Sequence, residues 1–359
     1  MADQRINLVV IFGGQSAEHD VSCVTAAHVL KAADPDRYCI NAVGISRDGE
    51  WQLAEGAMAA LAAGPESLPG RLEVAGPSTS AAPVLAAAAA TGTTVVLPLL
   101  HGPMGEDGTV QGMLELAGVP YVGSGVLGSA LSMDKAMAKQ VLAQCGIPQA
   151  RWHSAREHEL TPGMPARLAD ELGLPVFVKP ANMGSSVGVT KAKSVEELAE
   201  AIRVALTYDE WVVVEEAITG REIEVAVLGN LEPRASVPGE IIPGHEFYDY
   251  EDKYVEDGSQ LVIPAPMAAA DAERVRALAI EVFTALRAEG MARVDFFFEE
   301  GGRGFLCNEI NTIPGFTPIS MYPKLWQASG LSYPQLIDEL VQLALERHAR
   351  RRRNTSPSR

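Results

Sequence analysis

The sequence predicts an α/β protein in which an N-terminal, open and mostly parallel sheet precedes two units of mixed α+β structure. Three observations support this fold class. The chain has 359 residues, enough for two or three domains. Its first third alternates short apolar runs with helical patterns, as parallel sheets do. Hydrophobic residues make up 47% and charged residues 21%, a composition that allows sizeable cores.

The N-terminal unit is predicted to end near residue 126. Its stretch 56–90 is rich in Ala, Gly and Pro, and its pattern indicates no more than partial helix. Ligands of open parallel sheets bind at the carboxyl ends of the strands, so the loops there are candidate sites. The predicted strands of this unit are 6–12, 38–46, 95–99 and 119–122, and its predicted helices are 18–33 and 108–117.

The rest of the chain predicts two further units and a tail. Ser194 opens a helix with a capping-box pattern, and the basic segment 349–359 is predicted to be disordered. The second unit is predicted to contain a helix at 129–144 and strands at 176–179, 189–192 and 211–216. The third is predicted to contain strands at 222–228 and 235–242, a polar loop at 244–259, a helix at 271–289 and a hairpin at 291–310.

The charge balance excludes some classes of partner. The chain has 29 Lys and Arg against 46 Asp and Glu; six of the arginines follow Glu346, so residues 1–346 carry 23 basic and 46 acidic residues. Such a surface repels polyphosphate, and we expect no nucleic-acid partner. The four cysteines have no metal-ligand spacing, and no apolar run fits a signal peptide or a membrane span. We therefore expect a cytoplasmic protein without a membrane partner.

One familiar motif is set aside. Residues 123–128 read GSGVLG and fit the GxGxxG pattern of dinucleotide sites. Such a site also needs an acid about 20 residues further on, and none is found there. The sequence therefore does not predict a dinucleotide site at this loop.

The hairpin at 291–310 carries the strongest local signal. Strand alternation places Arg293 and Asp295 on one face, and Glu309 and Asn311 share a face after the turn. A symmetric register sets Asp295 opposite Glu309, with Cβ atoms about 5 Å apart. Two carboxylates and an amide oxygen suit Mg²⁺. The alternative, that Arg293 simply neutralises both acids, stays open from the hairpin alone.

Several strand-end residues could hold substrate. Lys179 precedes a small, glycine-containing loop that suits phosphate, although a solvated lysine beside a flexible turn fits equally well. Lys135 is a second candidate for phosphate. Glu18 is either an ammonium-binding carboxylate or an acid favoured by its helix dipole. The loop that begins at His101 and the aromatic, charged loop 248–254 are further candidates, the latter as a lid.

Taken in order, these segments resemble the D-alanine–D-alanine ligase family, which has the ATP-grasp fold. The phosphate lysines and the hairpin are shared by many ATP-grasp enzymes. Three loops narrow the resemblance to this family: 12–18 (FGGQSAE), 101–108 (HGPMGEDG) and 311–317 (NTIPGFT). The resemblance implies three domains, at 1–126, 127–219 and 220–348, with ATP held between the second and third.

The resemblance also implies roles for matching residues. Glu18, with Ser185 and Tyr254, should hold the ammonium of the first D-alanine, and Arg293 with the Gly315 amide should form the oxyanion site. Ser320 and the Met321 backbone should receive the second D-alanine, with His101 also at the substrate. The nucleotide residues implied are Lys135, Lys179, Lys253, Glu215, Ala217, Ile218 and Glu222. The implied ligands of two Mg²⁺ ions, with Mn²⁺ as a possible substitute, are Asp295, Glu309 and Asn311.

The implied reaction is the ATP-dependent joining of two D-alanines through an acyl phosphate, supplying peptidoglycan precursors, and the family suggests a homodimer. Lysines and metal offset charge in the phosphoryl step, and closure of the loop at 244–259 would keep water from the acyl phosphate. A D-alanyl–D-lactate ligase or another carboxylate–amine ligase is the nearest alternative. A non-catalytic nucleotide-binding protein is a third, which the oxyanion arginine disfavours.

Overall fold

The computed structural model describes residues 5–90, 93–243 and 260–351 of the chain, with the side chains of 87–90 excepted. Loop 244–259, with Lys253 and Tyr254, therefore lies outside the described residues. The strands among these described residues form three sheets. No helix in the described part of the chain is long and apolar enough to span a membrane.

The first sheet has the strand order β4-β3-β2-β1-β5. β1 pairs in parallel with β2 and β5, while the short β3 and β4 extend the edge in antiparallel. The mostly parallel sheet is thus confirmed. The strands are β1 (Ile6–Gly13), β2 (Tyr38–Ile45), β3 (Trp51–Leu53), β4 (Ser78–Thr79) and β5 (Thr94–Pro98). The helices are α1 (His19–Ala32), α2 (Glu55–Ala63), α3 (Ala81–Ala90), α4 (Thr109–Ala117), α5 (Val126–Met133) and α6 (Lys135–Gln144).

Two predictions for this region are wrong. The expected strand at 119–122 is only an isolated bridge between Tyr121 and Val96. The single helix expected at 129–144 is two helices, because the Asp134 side chain accepts a hydrogen bond from Met137 N–H and starts α6 anew.

The second sheet is antiparallel, with the order β6-β9-β7-β8. Two of its strands, β7 and β9, are rich in Val, and the sheet packs on α7 and α8 around Leu168, Val178 and Val214. The elements are β6 (Trp152–Arg156), α7 (Met164–Leu172), β7 (Val176–Pro180), β8 (Thr190–Ala192), α8 (Val195–Ala205) and β9 (Trp211–Glu216). Ser194 accepts a hydrogen bond from Glu197 N–H, which confirms the predicted cap of α8.

The third sheet has the order β13-β12-β10-β14-β15, with β11 paired to β10. The strand expected at 235–242 is interrupted by Pro238, which has no N–H to donate to a ladder. The strands are β10 (Arg221–Gly229), β11 (Arg234–Ala235), β12 (Gly239–Ile242), β13 (Gln260–Val262), β14 (Gly290–Glu299) and β15 (Gly304–Asn311). The helices are α9 (Ala269–Ala285), α10 (Met321–Ala328) and α11 (Tyr333–Arg351).

Helix α11 returns to the first sheet. Its apolar face, which includes Leu336, Leu340 and Val341, shares one buried cluster with Leu8 and Leu97. The tail predicted at 349–359 is wrong in its first part, because Ala349–Arg351 continue α11. Arg350 is paired with Glu289, and Arg351 Nη1 lies 2.8 Å from Glu115 Oε1. Residues 352–359 lie outside the described part.

Candidate active site

A cleft of about 280 Å³ is lined by the second and third sheets, the loop between β7 and β8 and the start of α6. Many of the predicted site residues meet there. Those that line the cleft are Lys135, Lys179, Ser185, Glu215, Ala217, Ile218, Glu222, Arg293, Asp295, Glu309 and Asn311. Glu18 reaches the same place through Ser185, as described below.

The hairpin of β14 and β15 forms one wall. Asp295 pairs directly with Glu309 and Arg293 with Asn311, as the alternation predicts. The register shifts after Asp295, so that Phe296 pairs with Cys307 and Asn308 is an extra residue in β15. This β-bulge brings Asn308 to the cleft, where its Oδ1 accepts a hydrogen bond from Lys179 Nζ at 3.1 Å.

Arg293 is held by carboxylates in two strands. Its Nε and Nη2 each donate to Asp295 at 2.7 Å, and its Nε lies 3.0 Å from Glu224 Oε2 on β10. Burial alone would lower the pKa of the guanidinium, but Asp295 and Glu224 outweigh it and hold that pKa above its ordinary value. Arg293 is thus paired with Asp295 and with Glu224, and the charge of Glu309 also raises its pKa.

The donor set of the hairpin fits a hard divalent cation in its chemistry. Asp295 and Glu309 supply carboxylates, and Asn311, whose Nδ2 donates to Asp295 Oδ2 at 3.0 Å, supplies an amide. No group of three or more His, Cys, Asp or Glu side chains gathers as a metal site among the described residues. Water and substrate phosphate oxygens would therefore have to complete the shell, as is usual for Mg²⁺.

Glu215 is enclosed by two lysines. Its Oε2 lies 3.1 Å from Lys179 Nζ and its Oε1 3.3 Å from Lys139 Nζ, and both Glu215 and Lys139 are buried. Burial raises the pKa of Glu215, but Lys139 and then Lys179 outweigh that effect, so the net pKa is lowered. The resemblance assigns Glu215 to adenine; in the structure its carboxylate also contacts Lys179, the candidate phosphate lysine.

Lys135 is anchored through its ammonium group, which donates to the Met183 carbonyl at 2.5 Å. Its backbone N–H donates to the Ala181 carbonyl at 3.0 Å. Both acceptors belong to the loop between β7 and β8, so Lys135 and Lys179 flank the same loop. The role of both residues as phosphate-neutralising lysines stays a prediction.

Glu18 and Ser185 are joined directly across two sheets. Ser185 Oγ donates to Glu18 Oε1 at 2.5 Å. Ser185 and Ser186 have φ of +48° and +59°, the left-handed region that non-glycine residues seldom adopt. The Glu18 side chain does not cap its own helix α1, so its carboxylate is directed to this contact.

The loop after β5 is tied to the loop after β15. His101 is buried, and its Nδ1 lies 3.0 Å from the Ile313 carbonyl. Glu106 accepts hydrogen bonds from Gly102 N–H at 2.7 Å and from Ile313 N–H at 3.3 Å. Burial, followed by repulsion from Glu18, raises the pKa of Glu106 to about 8.

Ser320 begins helix α10 but lies apart from the residues that line the cleft. Its Oγ is 2.8 Å from Thr317 Oγ1 and accepts a hydrogen bond from Thr317 N–H at 3.2 Å. A Cβ on Gly315 would lie 3.2 Å from this oxygen, so Gly315 and Ser320 are neighbours. The Met321 side chain is buried, which leaves only its backbone for a ligand.

Sequence reasoning missed four polar residues of this region. Glu224 follows Glu222 by two residues on β10, and Lys139 follows Lys135 by four on α6, so periodicity could have found both. Glu106 lies in a loop whose acids could equally cap a helix. Asn308 comes to the cleft only because of the bulge, which has no local signal.

Comparison with known proteins agrees with these observations. Two family models match, one described as the D-ala D-ala ligase N-terminus over residues 7–124 and one as the D-ala D-ala ligase C-terminus over 141–342. The chain belongs to the D-alanine–D-alanine ligase family. Like other members, it is an ATP-dependent ligase with the ATP-grasp fold.

Relatives in the D-alanine–D-alanine ligase family match over nearly the full length. The D-alanine–D-alanine ligase of Deinococcus radiodurans is 50% identical, over 94% of this chain and 98% of its own. That of Acetivibrio thermocellus is 46% identical, over 97% and 98%. A solved structure of the Coxiella burnetii ligase superposes with a TM-score of 0.81 at 37% identity, over 97% and 96%. The VanG D-Ala:D-Ser ligase of Enterococcus faecalis gives 0.80 at 34% identity, over 95% and 100%.

Proposed function

We propose that this site joins two D-alanines into D-alanyl-D-alanine, with ATP cleaved to ADP, for peptidoglycan precursor synthesis. The observation that carries the proposal is the contact of Glu18 with Ser185 beside Lys135 and Lys179. It brings a carboxylate suited to a substrate ammonium next to cations suited to phosphate. A site that only bound nucleotide would not need this juxtaposition.

The first step activates a carboxylate, which is otherwise a poor acyl donor. Glu18 and Ser185 hold the ammonium of the first D-alanine, so that its carboxylate faces the phosphate lysines. A carboxylate oxygen then attacks the terminal phosphorus of ATP, an acyl phosphate forms and ADP leaves. Lys135 and Lys179 offset the charge of the transferred phosphoryl group.

The second step forms the peptide bond. The second D-alanine is held by Ser320 and the Met321 backbone, and its free amine attacks the acyl carbonyl. Arg293 and the Gly315 N–H stabilise the oxyanion of the tetrahedral intermediate, from which phosphate leaves. The roles of Lys253 and Tyr254 rest on the family resemblance, because both lie outside the described residues.

Asp295, Glu309 and Asn311 would hold two Mg²⁺ ions, or Mn²⁺ in their place. When bound, these ions neutralise phosphate oxygens and orient them. We also propose, from the family, that the protein is a cytoplasmic homodimer. The adenine would lie against Ala217, Ile218 and Glu215, with Glu222 at the ribose.

The test is an ADP-release assay over D- and L-amino acids with each product identified by mass. ADP release that depends on D-alanine and yields D-alanyl-D-alanine is expected. D-serine is tested as a second substrate because a related structure is a D-Ala:D-Ser ligase. D-lactate is tested because a D-alanyl–D-lactate ligase is the nearest alternative from the sequence. A preference for D-serine or D-lactate over D-alanine would mean that the enzyme makes a different product from the one proposed. Absence of ADP release with every amino acid tested would favour a nucleotide-binding protein without ligase activity.

A further inference from the structure

A second cavity, of about 420 Å³, lies where the N-terminus of α5, the turn between α9 and β14, and the last turn of α11 come together. It shares no lining residue with the candidate active site. Part of its wall is apolar, formed by Leu127, Leu231 and Phe283. Arg287, Arg350 and Arg351 also line it.

A fourth arginine, Arg347, does not line the cavity but lies beside Gly125, which does. Arg347 is 3% exposed, stacks 4.0 Å from the centre of the Tyr121 ring and donates from Nη2 to the Tyr121 carbonyl at 3.1 Å. Its Nε and Nη1 have no hydrogen-bond partner within the described residues. Buried donors of this kind are costly unless something accepts from them.

The unsatisfied guanidinium lies against the positive end of a helix. Gly125 is the N-cap of α5, and no side chain caps that end. A Cβ on Gly125 would lie 3.0 Å from Arg347 Nη1 and 2.5 Å from Arg351 Nη1. Because the N-terminus of a helix carries positive potential, two cations beside it are electrostatically unfavourable.

The nearby carboxylates offset only part of this charge. Glu115 Oε1 lies 2.8 Å from Arg351 Nη1 and 3.9 Å from Arg347 Nη1, and it also accepts from the Tyr121 hydroxyl. Glu289 is paired with Arg350. Arg287 makes no ion pair with any described residue. The four guanidinium groups therefore face two carboxylates, an excess of about two positive charges in a chain whose net charge is −17.

We propose that this cavity, lined by Gly125, Leu127, Arg287, Arg350 and Arg351, is a binding site for a small organic monophosphate. The phosphate lies at the N-terminus of α5 beside Arg351, where backbone N–H groups and a guanidinium group donate to it, and the buried charge of Arg347 next to Gly125 attracts it. A phosphate dianion matches the charge excess. The apolar substituent of the ligand packs on Leu127, Leu231 and Phe283.

Phenyl phosphate is the probe, titrated by calorimetry into the full-length protein whose nucleotide site is saturated with a non-hydrolysable ATP analogue. The wild type should bind one equivalent, more tightly than it binds inorganic phosphate, and should not bind phenol. Arg351→Gln and Arg287→Gln should each weaken binding about tenfold, the loss of one charge-assisted contact. The control is Arg274→Gln, an exposed arginine of α9 that does not line the cavity.

The melting temperature of each variant checks that it is folded. If Arg351→Gln does not fold, Arg287→Gln decides alone, since Arg287 is exposed and unpaired in the described structure. Failure of the wild type to bind phenyl phosphate would overturn the proposal. Equal affinities of Arg287→Gln, Arg351→Gln and Arg274→Gln would overturn it as well.

Discussion

Glu106 and Ile313, which lie 207 residues apart, are joined by a hydrogen bond from the Ile313 N–H to Glu106 Oε1 at 3.3 Å. His101 contacts the carbonyl of the same residue. The loop after β5 therefore holds both backbone polar groups of Ile313, in the loop after β15 that continues to Gly315 and Ser320. These two contacts link the loop that adjoins Glu18 to the loop proposed to receive the second amino acid.

The raised pKa of Glu106 predicts that D-alanine binding releases a proton. Burial and the charge of Glu18 keep Glu106 protonated up to about pH 8 in the free protein. An ammonium beside Glu18 would favour ionised Glu106, so affinity should rise between pH 7 and about pH 8 and then level off. Calorimetry at pH 7 in buffers of different ionisation enthalpy measures the release.

Glu106→Gln should bind D-alanine without releasing that proton, and its affinity should not change with pH over the same range. The matched control is Glu66→Gln, whose side chain is 91% exposed. A proton release as large in Glu106→Gln as in the wild type would exclude Glu106 as its source.

Gly184 predicts a separation of amino-acid binding from nucleotide binding. A Cβ at this position would lie 2.9 Å from Glu18 Oε2, so Gly184→Ala should displace the carboxylate that Ser185 holds. We expect the KM for D-alanine to rise at least tenfold while the affinity for ATP changes little. Gly70→Ala, where a Cβ meets nothing within 4 Å, is the control. Parallel losses of both affinities would contradict the assigned geometry.

The sequence predicted the parts of this site that depend on local periodicity. Alternation along β14 placed Arg293 and Asp295 on one face, and the symmetric register of the hairpin placed Asp295 opposite Glu309. Alternation cannot predict the bulge at Asn308, which changes the face of one residue without changing the composition around it. The prediction of a strand at 119–122 is wrong for a related reason. An apolar run does not show how many hydrogen bonds it will form with a neighbouring strand, and here there is only one isolated bridge.

Long-range relationships were also beyond local reasoning. The apolar stripe of α11 shows that this helix is buried on one face but not that it packs on the first sheet, some 300 residues away in the chain. The pairing of Lys139 with Glu215 joins helix α6 to strand β9, which lie far apart in the chain. Family resemblance supplied roles for Glu18 and Ser320, which periodicity alone would have left as helix-terminus residues.

Lys139 predicts a pH-dependent loss of stability. Lys139→Met leaves the buried Glu215 with only Lys179, which should lower the free energy of unfolding by about 3 kcal/mol at pH 7. The pKa of Glu215 is depressed in the folded protein, so its stabilisation is present above the unfolded pKa near 4.5 and is lost as the pH falls. The difference in free energy of unfolding between Lys139→Met and the wild type should therefore become smaller below that pH.

Urea unfolding at pH 7 and pH 4 measures this difference. Lys31→Met removes an exposed pair with Glu66 and should cost less than about 1 kcal/mol at either pH. If the loss of unfolding free energy in Lys139→Met were the same at pH 7 and pH 4, packing rather than charge would account for it.

Arg293 provides the sharpest test of the proposed chemistry. Arg293→Lys keeps a positive charge near Asp295 and Glu224 but removes the planar fork that donates twice to Asp295. Because the loss of one oxyanion donor typically lowers the rate by about 10²–10³, we expect a fall in kcat of that order with ATP binding still measurable.

Arg293→Ala should abolish dipeptide formation while it still binds ATP. Arg203→Lys is the control, because the fork of Arg203 contacts the exposed Glu200 on α8 away from the cleft, and it should leave kcat unchanged. Product is measured by mass and ATP binding by calorimetry, and near-normal turnover of either Arg293 variant would remove this residue from the oxyanion site.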